Sequence, residues 1–289
     1  MNALTITGLN KDMGRFRLKD ITLNIRKGYI TGMIGENGAG KSTLIQHILS
    51  LKKQDEGQIS ILGQDLETER EALLNRIGVV MSENYLPQNI SPKKLNKLLA
   101  VYYKNWRPDK FFSFLKRFNI DEASKIKYFS TGEKAKLSIA VALSHEAELL
   151  ILDEPTSNLD PTFRRELLDI LQTLMMEENT TILFSTHITT DLEKIADYIV
   201  MIDEGEIVFD MEREVLFDSY KKVKGDLQII EDADELLIGT TTNALGFEAM
   251  TREHQALEEL YGNKVLIENL TIEEIMYFLK NTKRGVDNE

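Results

Sequence analysis

Cysteine is absent from all 289 residues, which excludes disulfides, thiolate zinc sites and cysteine nucleophiles. Stability is left to the hydrophobic core, a condition that suits a reducing compartment. Positive charge is in deficit, with 35 Lys and Arg against 47 Asp and Glu and a formal net charge of −12. A chain of that sign is poorly suited to gripping a nucleic-acid backbone, so no nucleic-acid partner is expected. No apolar run approaches the roughly 20 uncharged residues of a membrane span, and the opening residues, MNALTITGLNKDMGRF, hold nothing that could serve as a signal peptide. The expectation is a cytoplasmic chain whose membrane work, if any, passes through a partner. Internal repeats and low-complexity tracts are also missing. What remains is an ordinary globular composition, 42% hydrophobic and 28% charged, and a length that suits about two domains.

Strand-like and helix-like segments alternate, which predicts an α/β fold around a mainly parallel sheet. Leu4–Ile6 and Ile21–Ile25 read as small antiparallel strands. Tyr29–Ile34 is a compact apolar strand, and Lys41–Leu51 carries Leu44, Ile45, Ile48 and Leu49 at helical spacing. From about Pro87 to Glu148 the segments become Lys-rich and aromatic-rich, with Pro92 and Pro108 near helix starts, which predicts a helical insertion. Leu149–Leu152 and Thr181–Ser185 read as strands buried on both faces, separated by a polar helix over roughly Pro161–Glu177. After Gly205, strand candidates Ile207–Phe209, Leu227–Ile230 and Val265–Ile267 alternate with amphipathic helices at about Arg252–Tyr261 and Thr271–Lys280, and a short tail follows Asn281. The expected organisation is a main domain over 1–210, with a helical subdomain over about 87–148, and a small C-terminal accessory α/β domain over 211–289.

Between the first buried strand and its helix lies Gly35-Glu36-Asn37-Gly38-Ala39-Gly40-Lys41-Ser42-Thr43, a full match to G-x-x-x-x-G-K-[ST]. Its glycines let successive backbone N–H groups turn inward on phosphate oxygens, and the helix that follows adds its positive end. Gly35, Asn37, Gly38, Gly40, Lys41, Ser42 and Thr43 are therefore candidate nucleotide-binding residues, with Lys41 against the β and γ phosphates and the Ser42 hydroxyl on Mg²⁺. The competing reading is a strand-to-helix turn that binds nothing. The loop alone does not distinguish a kinase, a GTPase or a motor. A second buried run, Leu149–Leu152, ends in Asp153 and Glu154. Side chains alternate along a strand, so the two acids are expected to point apart, one to a Mg²⁺ shell and its neighbour to an attacking water. A pair of solvated acids is the competing reading there. His187 closes the next strand, at the sheet edge where ligands gather, and is a candidate γ-phosphate contact. His47, His145 and His254 show no ligand spacing.

Phe129-Ser130-Thr131-Gly132-Glu133 stands directly before a helix and ahead of Asp153. By itself it is a helix cap. Together with the loop and the acid pair, it makes residues 3–210 resemble the nucleotide-binding subunits of the ATP-binding cassette (ABC) family, whose LSGGQ signature it matches with Phe, Thr and Glu substituted. The resemblance implies a P-loop cassette with a RecA-like core, an antiparallel β subdomain and a helical subdomain. It implies an ATPase with ATP and Mg²⁺ as cofactors, in which Ser130 and Gly132 cap ATP held by a second subunit in a homodimer or a heterodimer with a related ATPase. It further implies Glu154 as the base, Asp153 on Mg²⁺, His187 as the switch histidine, and Ser157–Asp160 as the loop that crosses the dimer interface. Two departures stand out. Ser82 occupies the place of the family's Q-loop glutamine, with Glu83 next and Gln88 later, and Met13 occupies that of the adenine-stacking aromatic, with Phe16 the nearest substitute. Tyr102-Tyr103-Lys104-Asn105-Trp106 and the Phe-rich helix after it, Gly28-Tyr29-Ile30, and Gly246-Phe247-Glu248 resemble ATPase subunits of bacterial ABC-2-type exporters, including those of antimicrobial or amphipathic peptides. The expected function is thus the ATPase of a transporter, peripheral on the inner face of the membrane through an integral permease subunit. The alternative is a soluble ABC ATPase in translation or DNA maintenance; a metabolic kinase has no use for the signature.

Overall fold

A computed structural model describes residues 1–83, 85–177 and 180–286. They gather into two compact units, Met1–Asp210 and Met211–Glu289. In the first, β1 (Asn2–Asp12) and β2 (Arg17–Arg26) pair antiparallel, and Leu18, Ile21, Leu23 and Ile25 of β2 turn inward while their neighbours face solvent. Strand β3 (Ile30–Ile34) is instead buried at every position, as suits a central strand covered on both faces. It leads through a glycine-rich turn into α1 (Lys41–Ile48). β4 (Glu56–Ile61) and β5 (Gln64–Asp65) complete a four-stranded sheet in the order β2-β1-β4-β5. Short α2 (Arg70–Leu74) precedes β6 (Ile77–Val80).

Three helices then intervene: α3 (Pro92–Tyr102), α4 (Pro108–Arg117) and α5 (Thr131–Ala142). Pro92 and Pro108 each open a helix, where a missing N–H costs nothing. The aromatic run divides between core and surface: Trp106, Phe111 and Phe118 are buried, whereas Tyr102 is 67% exposed. The buried run resumes in β7 (Leu149–Asp153), followed by α6 (Pro161–Glu177), β8 (Thr181–Ser185), α7 (Thr189–Ile195), β9 (Tyr198–Asp203) and β10 (Glu206–Glu212). Asp160 caps α6 by accepting from the Thr162 and Phe163 amides at 3.1 and 3.0 Å. The six-stranded sheet has the order β10-β9-β3-β8-β7-β6, with β9, β3, β8, β7 and β6 running parallel to one another. Because β3, β8, β7 and β6 are adjacent, the loops leaving their carboxyl ends share one edge, where ligands of open α/β sheets bind.

The second unit runs through α8 (Arg213–Ser219), β11 (Lys221–Gly225), α9 (Gln228–Ala233), β12 (Ile238–Asn243), β13 (Gly246–Thr251), α10 (His254–Tyr261), β14 (Val265–Asn269) and α11 (Ile272–Val286). Its sheet order is β12-β13-β11-β14, with every pairing antiparallel. From β11 to β14 this is the βαββαβ arrangement of ferredoxin-like folds. Val223, Phe247 and Ala249 of the sheet pack with Ile229, Ala233 and Leu257 of the helices. On the opposite face Lys222 pairs with Glu274 at 2.6 Å, and Lys224 with Glu268 at 2.9 Å.

This unit departs from the sequence expectation in several places. Leu227–Ile230, expected as a strand, leads into α9, where Ile229 and Ala233, four residues apart, bury one helical face; a short apolar run does not by itself separate the two periods. The final helix extends beyond Lys280 to Val286 and takes up much of the expected tail, whose last residues, 287–289, lie outside the described ones. β11 was not expected at all, because its lysines hide the strand pattern until the facing glutamates are known.

Candidate functional site

The turn between β3 and α1 curls through Gly38 at φ 89 and Gly40 at φ 115, backbone that favours glycine. At Gly40 a β-carbon would also lie 2.8 Å from the Phe16 ring. The turn forms one wall of a cavity of about 630 Å³, lined by Met13, Phe16, Glu36, Asn37, Gly38, Gly40, Lys41, Ser42, Thr43, Ser82, Glu154, Ser157, Asn158 and His187. Gly35 opens the turn at the buried end of β3. Lys41 is 5% exposed, and its Nζ donates to the carbonyls of Gly35 at 2.7 Å and Glu36 at 3.2 Å. Burial pushes this ammonium below the ordinary lysine range, and the charges of Glu154 and Asp153 oppose the shift.

Asp153 and Glu154 both turn toward the loop. The side-chain alternation expected of them stops at Asp153, the last residue of β7, because Glu154 takes a φ of 51° that re-aims its side chain. Asp153 is fully buried; its Oδ1 accepts from Ser42 Oγ at 3.1 Å and Ser185 Oγ at 2.6 Å, and its Oδ2 from Ser82 Oγ at 3.1 Å. Glu154 Oε1 lies 3.8 Å from Lys41 Nζ, and its Oε2 accepts from Ser157 Oγ at 2.7 Å and faces His187 Nδ1 at 2.8 Å. An ionised carboxylate only accepts, so this contact calls for the proton on Nδ1. One acid therefore sits with the Ser42 hydroxyl, and the other with Lys41 and the histidine.

Ser130 and Gly132 do not line this cavity. Ser130 caps α5 in a reciprocal box: its Oγ accepts from the Glu133 amide at 3.2 Å, while Glu133 Oε2 accepts from the Ser130 amide and hydroxyl, both at 2.8 Å. Those bonds, the backbone one foremost, hold the Glu133 carboxyl below the ordinary carboxylate range. Gly132 lies beside Asn158, whose carbonyl oxygen would be 3.4 Å from an added β-carbon. Within one chain, then, Ser130 and Gly132 stay outside the cavity lining, although Asn158, which Gly132 adjoins, belongs to it.

Sequence reading missed Ser185, whose role depends on its register opposite Asp153 in the β7–β8 pair. It noted Ser82 only as a departure, and the contact with Asp153 became visible with the β6–β7 pairing. Phe16 lines the cavity beside Met13, the residue that stands in the aromatic's usual place.

Comparison with known proteins follows the same lines. The ABC transporter family model matches residues 18–157. The bacitracin transport ATP-binding protein BcrA of Bacillus licheniformis is 34% identical over 223 residues, which cover 75% of this chain and 70% of that protein. The lantibiotic transport ATP-binding protein SrtF of Streptococcus pyogenes is 36% identical over 214 residues, 72% of this chain and 90% of that one. A solved ATP-binding subunit of an ABC transporter superposes with a TM-score of 0.68 at 27% identity, covering 73% of this chain and 90% of its own.

Proposed function

The chain belongs to the ABC transporter family as an ATP-binding, ATP-hydrolysing subunit, and on that premise we propose that it drives an exporter of antimicrobial or amphipathic peptides. The observation that carries the chemistry is the convergence of Lys41, Ser42, Glu154 and His187 on one cavity at the carboxyl edge of the sheet, with buried Asp153 bonded to Ser42 behind its wall. In this reading the turn amides and Lys41 cradle the triphosphate, and Phe16 with Met13 borders the base. Glu154 accepts the proton of the attacking water, while His187 orients that carboxylate and faces the terminal phosphate. The residues fit Mg²⁺: Ser42 and Asp153 offer hard oxygen donors side by side. Among the described residues no group of three His, Cys, Asp or Glu is placed to hold a metal ion. Held by Ser42 and Asp153, Mg²⁺ would supply positive charge that offsets the charge of the phosphates.

The separation of Ser130 and Gly132 from the cavity supports a head-to-tail pair of subunits, identical or related, each offering its α5 start to nucleotide on the other. ABC ATP-binding subunits work in pairs with membrane permeases, and the same is proposed here, with this chain peripheral on the cytoplasmic side. Among the described residues no helix is long and apolar enough to cross a membrane. A groove of about 590 Å³ beside Ala72, Asn75, Lys104 and Asn105, and the exposed Leu98, Val101 and Tyr102 of α3, support a permease docking surface at the helical segment. No observation favours the alternative of a soluble factor in translation or DNA maintenance.

Glu154→Gln tests the assignment. It is expected to retain ATP binding, lose about 10²–10⁴-fold in turnover and accumulate an ATP-bound dimer measurable by light scattering. Unimpaired hydrolysis would remove Glu154 as the base.

A further inference from the structure

We propose that Ser82 is a positioning residue for the metal-site carboxylate, fixing the plane of Asp153 through a hydroxyl-to-carboxylate bond. The proposal rests on the nucleotide-site reading above. Asp153 is 0% exposed, and three hydroxyls reach it. Two belong to regular elements: Ser42 to α1 and Ser185 to β8, both on Oδ1. Among the described residues only Ser82 engages Oδ2 with a hydroxyl, at 3.1 Å, and it stands beyond the end of β6 on the cavity wall. A carboxylate gripped at one oxygen can still swing the other about its terminal torsion, which is broad. Holding Oδ2 fixes the plane of the group and keeps Oδ1 directed at the Ser42 hydroxyl. Removing the hydroxyl would also leave a buried, charged acceptor atom short of a partner.

Mg²⁺ titrations of the full chain with a fluorescent ATP analogue, read as nucleotide binding, test the idea. Ser82→Ala is expected to raise the Mg²⁺ concentration for half-maximal binding about tenfold, while affinity in the presence of EDTA stays at the wild-type level. Ser82→Thr, which keeps the hydroxyl, is expected to restore the wild-type Mg²⁺ response. An unchanged Mg²⁺ response in Ser82→Ala would overturn the proposal while leaving the nucleotide site intact. A wild-type protein whose nucleotide binding ignored Mg²⁺ altogether would overturn the metal assignment and the proposal with it.

Discussion

Glu154 adopts backbone torsions that residues with a β-carbon seldom take, at a cost of order 1–3 kcal/mol. The return is placement: from that position one carboxylate meets Lys41, Ser157 and His187 at once. Lys41 is its counterpart, a buried ammonium held by two loop carbonyls. Lys41→Ala is therefore expected to weaken ATP binding itself, by a factor of ten or so if one charge-assisted contact is lost, as fluorescence titration would show; unchanged affinity would count against the loop. Histidines away from the cavity govern a different property. His145 is 1% exposed, with Nε2 3.0 Å from the Ile77 carbonyl, and burial pushes its pKa below the ordinary value; His47 is shifted the same way for the same reason. Below about pH 6.5 the unfolded chain takes up protons that the fold resists, so stability falls on acidification until the depressed folded values are reached. Urea unfolding at about pH 7.5 and 5.5 is expected to show that loss, and a smaller one in His145→Gln. The phosphate loop was legible in the sequence because its chemistry is contiguous; Ser185 was not, because its meaning lies in a cross-strand register.

At the scale of elements, the loop leaving β7 and the helix leaving β8 are pinned to each other. Arg164, one turn into α6, donates through Nε to both oxygens of Asp191 in α7, at 2.7 and 3.0 Å, and the Asp191 side chain is 1% exposed. Arg164→Met leaves that carboxylate buried without its partner, and a loss of about 3–5 kcal/mol is expected, measurable by chemical denaturation. Turnover should fall with it, since α6 follows Asp160 and α7 follows His187. The start of α5 is stabilised differently, by the reciprocal Ser130–Glu133 box. Ser130→Ala should cost only about 1 kcal/mol of stability yet abolish hydrolysis; full activity would reduce this stretch to a helix cap. Prolines, capping residues and apolar periods made most helices of the first unit readable. The segment Leu227–Ile230, expected as a strand, is helical because three apolar residues in four satisfy a strand and a helix alike, and only the partner surface decides.

At the scale of the molecule, the two compact units have separate cores, one around the central parallel sheet and one in the βαββαβ arrangement. We propose that the first is the ATPase domain and the second an accessory domain. A chain ended at Glu212, after the last strand of the six-stranded sheet, is expected to fold and bind ATP with unaltered affinity, as circular dichroism and nucleotide titration would report. The sequence by itself determined that this is an acidic, cysteine-free α/β chain with a phosphate loop, an acid pair and a signature-like cap, since each of these is written in neighbouring residues. Tertiary structure decided which groups meet. The adjacency of β3, β8, β7 and β6 assembles hydroxyls, acids, lysine and histidine from four distant stretches on one edge, and strand order is a property of long-range packing that local periodicity does not encode.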